Sequence, residues 1–196
     1  MKKSLLLSLL FTTSFLVSCT TPQHIQPQQI RGVWGCTTKY DNLGVGTKDI
    51  VDIKADGHFR MTGIIFDHFF EKLTDKKIDD YFSSILKYST SSEGQWQLNR
   101  NELTYEITQH KATRLISPKL MAEIQKSLTL KAMEQAVFDI YSKKEVAEKD
   151  KIELVITQFE KHRFTAEQAF DDSKNISVCK KLANKEDAFQ FLIADK

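Results

Sequence analysis

The stretch DIVDIKADGHFRMTGIIF, residues 49 to 66, decides how the chain folds. Asp49 to Ala55 alternates, with Val51 and Ile53 on one face, as a strand with one buried side does. Asp56-Gly57 follows, and both residues tolerate the positive φ that a two-residue hairpin turn demands. His58 to Phe66 is the returning strand. A β-hairpin this explicit makes an antiparallel architecture the expectation for its surroundings.

Upstream, Val33 to Tyr40 is a β-prone run closed by Asp41-Asn42-Leu43-Gly44, which is turn chemistry. Downstream, Asp67 to Asp80 reads as a loop with a short helix, since Phe66, Phe69, Phe70 and Leu73 lie at helical spacing. Tyr81 to Tyr88 and Gly94 to Leu98 read as strands, Asn99-Arg100-Asn101 as a tight turn, and Glu102 to Thr108 as a strand with Leu103, Tyr105 and Ile107 inward. Ser117-Pro118 is a helix start, a hydroxyl cap followed by proline in the first turn. Leu120, Ile124 and Leu128, then Met133, Val137, Ile140 and Tyr141, form an apolar stripe to about Lys143, with a break expected near Ser127 to Thr129. That stripe reads as packing onto the body of the domain. Lys151 to Phe159, Arg163 to Gln168 and Asn175 to Lys181 are further strands, and Ala183 to Ile193 is a closing helix.

Three groups of residues carry a resemblance: Gly32-Val33-Trp34 at the first strand, Asp56-Gly57-His58-Phe59 at the hairpin, and Gly94-Gln95-Trp96-Gln97-Leu98 with Asn101-Glu102-Leu103 beyond. Their order resembles that of lipocalin-like lipoproteins and small calycin-type barrels. The resemblance implies a mainly β (α+β) fold, an antiparallel barrel with an inserted helical segment at about 117–143 and a short C-terminal helix. It also implies that Trp34 plugs one end and that a basic residue of the last strand, Lys180 or Lys181, covers its ring by a cation-π contact. Barrel mouths often take apolar ligands, so Trp34, Phe59, Met61, Trp96 and Tyr105 are the candidate lining of a site for a small apolar molecule or lipid. The alternative is a protein-interaction module, an envelope inhibitor, immunity-like protein or chaperone, that uses the helical segment.

The chain opens with Met1-Lys2-Lys3 and an apolar run, Leu5 to Val17, too short for a membrane-spanning helix. It ends in Leu16-Val17-Ser18-Cys19. The segment resembles a bacterial lipoprotein signal peptide, which implies cleavage before Cys19 and acylation of that residue. Thr20 is not the Asp that retains many such proteins in the inner membrane, so the implied address is the outer membrane, lipid-anchored and facing the periplasm. The domain expectation is therefore signal peptide 1–18, lipidated flexible tether 19–29, rich in Gln and Pro, and a single domain 30–196.

Lys2 and Lys3 leave with the signal and no acid does, so the 28 Lys and Arg fall level with the 26 Asp and Glu. A neutral chain without a basic block gives no electrostatic ground for nucleic-acid binding. Of the three Cys, lipidation of Cys19 leaves Cys36 and Cys179 as a pair in an oxidising compartment. In an up-and-down barrel with an even number of strands, the first and last are antiparallel neighbours, so a disulfide between them is expected. One detail opposes it: Cys36 shares the face of Trp34, whereas Ile176 and Val178 point Cys179 outward unless a bulge intervenes. The five His are scattered without ligand spacing, and Asp79-Asp80 and Asp171-Asp172 are solvated loop pairs. No catalytic, cofactor or metal-binding motif stands out. A non-enzymatic role is the expectation.

Overall fold

A hairpin turns at Asp56-Gly57 as expected, but only Gly57 takes a positive φ, 86°; the loop closes with the Lys54 amide donating to the His58 carbonyl at 2.9 Å and the Asp56 carboxylate accepting the His58 amide at 3.0 Å. It joins β2 (Val45–Ile53) to β3 (His58–Asp67), in register with Val51 opposite Met61 and Ile53 opposite Phe59. The structure, a computed structural model, describes residues 24–40, 45–67, 86–142, 150–170 and 173–193. The turn at 41–44, most of the Asp67 to Asp80 segment, Tyr81 to Ile85, Asp171-Asp172 and Cys19 with its signal lie outside these residues.

Around that hairpin run β1 (Gly32–Tyr40), β4 (Lys87–Asn99), β5 (Glu102–Arg114), β6 (Asp150–Glu160), β7 (Arg163–Phe170) and β8 (Ser173–Lys181). Each strand pairs antiparallel with the next, and β8 pairs with β1, so the eight form a closed up-and-down barrel. Closure removes both sheet edges, which is how an all-antiparallel sheet satisfies its outermost backbone groups. Among the described residues the remaining elements are α1 (Pro27–Ile30), α2 (Pro118–Lys126), α3 (Leu128–Ser142) and α4 (Lys185–Ile193).

Four sequence expectations need correction. The strand read at Gly94 to Leu98 does not start there: β4 runs unbroken from Lys87 to Asn99, joined to the end of the strand read at Tyr81 to Tyr88 through Ser89 to Glu93. That Ser/Thr-rich run has no apolar alternation to announce it, yet its backbone is held on both sides by β3 and β5. Strand β5 likewise runs on to Arg114, past a bulge opposite Glu93 and Gly94, although only Glu102 to Ile107 also pair with β6. In the helical segment, Ser117 caps α2 as expected and the break falls at Ser127. The break resets the helical phase, so Leu128 and Ile140 are 86% and 66% exposed, while Leu130, Met133, Val137, Phe138 and Tyr141 turn inward. Finally, the residues expected at the end of a flexible 19–29 segment belong to the folded domain: α1 forms at Pro27, and Ile25 and Ile30 are buried against the barrel. Ile25 is held by its amide donating to the Arg100 carbonyl at 3.2 Å.

Candidate functional site

Alternation puts Trp34, Cys36, Thr38 and Tyr40 of β1 inside the barrel, and each level of the interior follows from the register. At the Trp34 end the interior is filled. The Trp34 indole N–H donates to the Ile30 carbonyl at 2.6 Å. Its ring meets Phe164 edge-on at 4.8 Å and Phe159 at 6.4 Å. The Lys181 ammonium lies 5.2 Å from the ring, so the basic cover falls to Lys181 rather than Lys180. Gly32 makes this possible: it adopts φ +115°, and a Cβ there would stand 3.0 Å from the Lys181 side chain.

The five aromatic and Met residues read as ligand lining belong to this packed region. Trp34, Phe59, Trp96 and Tyr105 are buried in one cluster, and Met61, half-buried, packs against it. Phe59 and Tyr105 lie with ring centroids 4.8 Å apart, and the Trp96 indole donates to the Lys54 carbonyl at 2.9 Å. The structure brings the five together in one packed hydrophobic cluster.

One level on, Cys36 and Cys179 face each other in register and form a disulfide spanning 143 residues. No bulge is needed. Strand β8 is inverted relative to its apolar pattern: Asn175, Ser177 and Cys179 are buried, and Ile176 and Val178 are 46% and 38% exposed on the outside. The apolar alternation of β8 therefore marks its outer face, and its polar residues line the barrel.

Beyond the disulfide the interior turns polar. Asp49 lies level with Cys36 on one side and Gly63 on the other. A Cβ on Gly63 would overlap the Asp49 carboxylate, so glycine provides the room for it. The next level places Ser177, Thr38 and Thr47 side by side across β8, β1 and β2. Thr38 and Ser177 share a buried hydroxyl–hydroxyl hydrogen bond of 2.7 Å, Thr47 donates to Asp49 at 2.8 Å, and Tyr40 donates to Gln168 at 2.8 Å. Burial pushes Asp49 up to about 6, only partly offset by the Thr47 hydrogen bond. Burial also raises Tyr40, to about 12, with the Asp49 charge adding to the effect and the Gln168 hydrogen bond opposing it. Tyr105 is raised too, first by burial and then by Asp49. A carboxylate whose field reaches two buried phenols is the electrostatic centre of the interior.

The inward row of β5 continues past β6 as His110, Ala112 and Arg114, and α3 packs against it. His110 sits between the Ser92 hydroxyl (2.8 Å) and the Tyr141 carbonyl (2.7 Å). The carbonyl only accepts, so Nε2 carries hydrogen and donates to it. Glu134, 3% exposed, takes the Arg114 guanidinium at 2.8 Å and the Tyr88 hydroxyl at 3.3 Å, and Arg114 lies 3.5 Å over the Phe138 ring. This ion pair fastens the helices to the β4–β5 extension.

Sequence reading missed Asp49, Thr38, Ser177 and Asn175 as interior residues. Asp49 and Thr38 were findable by phase, being in step with Val51 and with Trp34. For Ser177 and Asn175 the local pattern pointed the wrong way. Among the described residues no cluster of His, Cys, Asp and Glu could hold a metal ion.

No family model matches the chain, and no curated protein does. Among solved structures, a de novo designed fluorescence-activating β-barrel matches with a TM-score of 0.35 and 6% identity, over 80% of this chain and 96% of that one. A likeness this shallow decides nothing about function.

Proposed function

We propose that this protein is a lipid-anchored envelope protein whose barrel binds one small molecule with an apolar body and a hydrogen-bonding head. The observation that supports it is the polar half of the interior, where Asp49, Thr38 and Ser177 occupy inward positions. A core selected only for stability would carry apolar side chains at these inward positions. A sequence that breaks its own apolar pattern in this way does so at functional sites. The packed aromatic end then serves as the floor, and Asp49 with the hydroxyls around it would meet an amine or hydroxyl on the ligand. Ligands of this kind, screened by thermal shift, should raise the midpoint of the wild type and leave Ser177→Leu unchanged. Equal shifts in both proteins would reject the interior site.

The anchor is part of the same proposal: Cys19 as the acylated residue, with Thr20 directing the protein to the outer membrane, facing the periplasm. Two or three acyl chains hold a protein on a bilayer almost irreversibly, at about 0.8 kcal/mol per buried CH₂. Labelling with a palmitate analogue should mark the wild type and not Cys19→Ala; an unlabelled wild type would end this part.

A second reading, a protein-interaction module, is favoured by one observation. Leu128 and Ile140 stand on the outside of the α2–α3 segment, where a partner could cover them.

A further inference from the structure

Inversion of β8 leaves an apolar strip on the outer wall, and the strip lies in a groove. Ile176 and Val178 form its floor and Phe191 of α4 its wall, in a volume of about 610 Å³. That volume falls within the usual range of small-molecule sites. Phe191 is seated by Gly35, where any Cβ would stand 3.0 Å from the ring. The polar groups around the groove are mostly cations. Arg163, Lys180 and Gly35 stand level at one end, with the Lys180 ammonium 5.3 Å from the Phe191 ring. Lys39 and Lys174 are at the other end, where Glu167 pairs with Lys174 at 3.1 Å. Glu160 stands across its hairpin from Arg163. Among the described residues no carboxylate lines the groove itself.

We propose that this groove binds a monomeric single-chain amphiphile with an anionic head, a fatty carboxylate, separately from the barrel interior. The tail lies along Val178 and Ile176 against Phe191, and the carboxylate is met by Arg163 and Lys180. The charges suit an anion and the floor suits a hydrocarbon, and only a molecule that carries both uses the whole groove. A planar bilayer is a poorer fit, because Phe191 of α4 walls one side of the groove. Arg163 is suited to the head because its fork can take both carboxylate oxygens.

The test is fluorescence titration of the purified protein with dansylated undecanoic acid below its micellar concentration, beside the same probe ending in an alcohol. The acid should bind at least about tenfold more tightly than the alcohol, the worth of one charge-assisted head contact. Arg163→Glu/Lys180→Glu should lose that preference, and Val178→Asp should weaken both probes, with circular dichroism and melting unchanged. Ile176→Ser is the milder floor variant should Val178→Asp fail to fold. Ser177→Leu, which blocks the interior, should leave acid binding intact, so the two sites fail independently. The proposal is overturned if acid and alcohol bind alike, or if the groove variants bind as the wild type. It is overturned equally if binding is seen only to anionic vesicles or only to an acidic peptide.

Discussion

Replacement of Asp49 by Asn should stabilise the barrel at neutral pH, and the gain should vanish in acid. In the folded protein the carboxyl is held at about 6 against an ordinary 3.8. Between those two pH values the folded state binds more protons at this position than the unfolded chain. Stability therefore falls as pH rises through the window, and at pH 7 the ionised form is fully opposed. At 1.36 kcal/mol per pKa unit the effect is about 3 kcal/mol, an upper figure because water reaches part of the Asp49 side chain. Asn keeps the shape and an acceptor for Thr47, and it removes the charge. The assay is urea unfolding of the wild type and Asp49→Asn from pH 3.5 to 7.5, read as the difference in ΔG. Other titrating groups cancel in that difference. It should be near zero at pH 3.5 and reach about 2 to 3 kcal/mol in favour of the Asn variant by pH 7. A flat difference, or an Asn variant less stable at pH 7 than at pH 3.5, would refute the placement of Asp49 as a charge inside the wall.

Other perturbations probe separate parts of the structure. Removing the seam disulfide with Cys36→Ala/Cys179→Ala frees a loop of 143 residues, for which the chain-entropy relation gives a loss of up to about 5 kcal/mol, with a larger urea dependence because the unfolded chain expands. A loss under about 1 kcal/mol with no change in that dependence would contradict it. Glu134→Ala leaves the Arg114 guanidinium without its buried partner and should cost about 3 kcal/mol; hydrogen exchange should rise in residues 118–142 well before it rises in β1 and β8. Gly63→Val, which sets a side chain where the Asp49 carboxylate lies, should destabilise by about 1 to 3 kcal/mol, as overpacking does. Lys181→Met should keep the fold and shift Trp34 fluorescence, because the cation 5.2 Å from the indole is lost while its aliphatic stem is preserved.

Much of the wall was legible because its strands announce themselves. Asp56-Gly57 and Asn99-Arg100-Asn101 are turns by their own chemistry, and Ser117-Pro118 starts a helix wherever it sits. Alternation likewise set the inward faces of β1, β2 and β5. The failures share one cause: local pattern cannot see what lies across the wall. Ser89 to Glu93 extends because two neighbours hold its backbone. Ile176 and Val178 face out because Cys179 must meet Cys36 and because α4 shelters part of the outer surface. Glu134 in α3 looks like a solvated acid until Arg114, 20 residues earlier, is placed beside it. The polar interior was hidden for the same reason on β8 alone, where Ser177 and Asn175 sit out of phase with the apolar pattern.

The central claim is that the polar half of this barrel holds a molecule. Native mass spectrometry of the protein purified gently from its own host tests it most directly, run beside Thr38→Leu/Ser177→Leu, which fills the interior with hydrocarbon. The expected result is a single small-molecule adduct per wild-type chain and a bare mass for the variant. A bare wild-type chain, or the same adduct on both proteins, would contradict it.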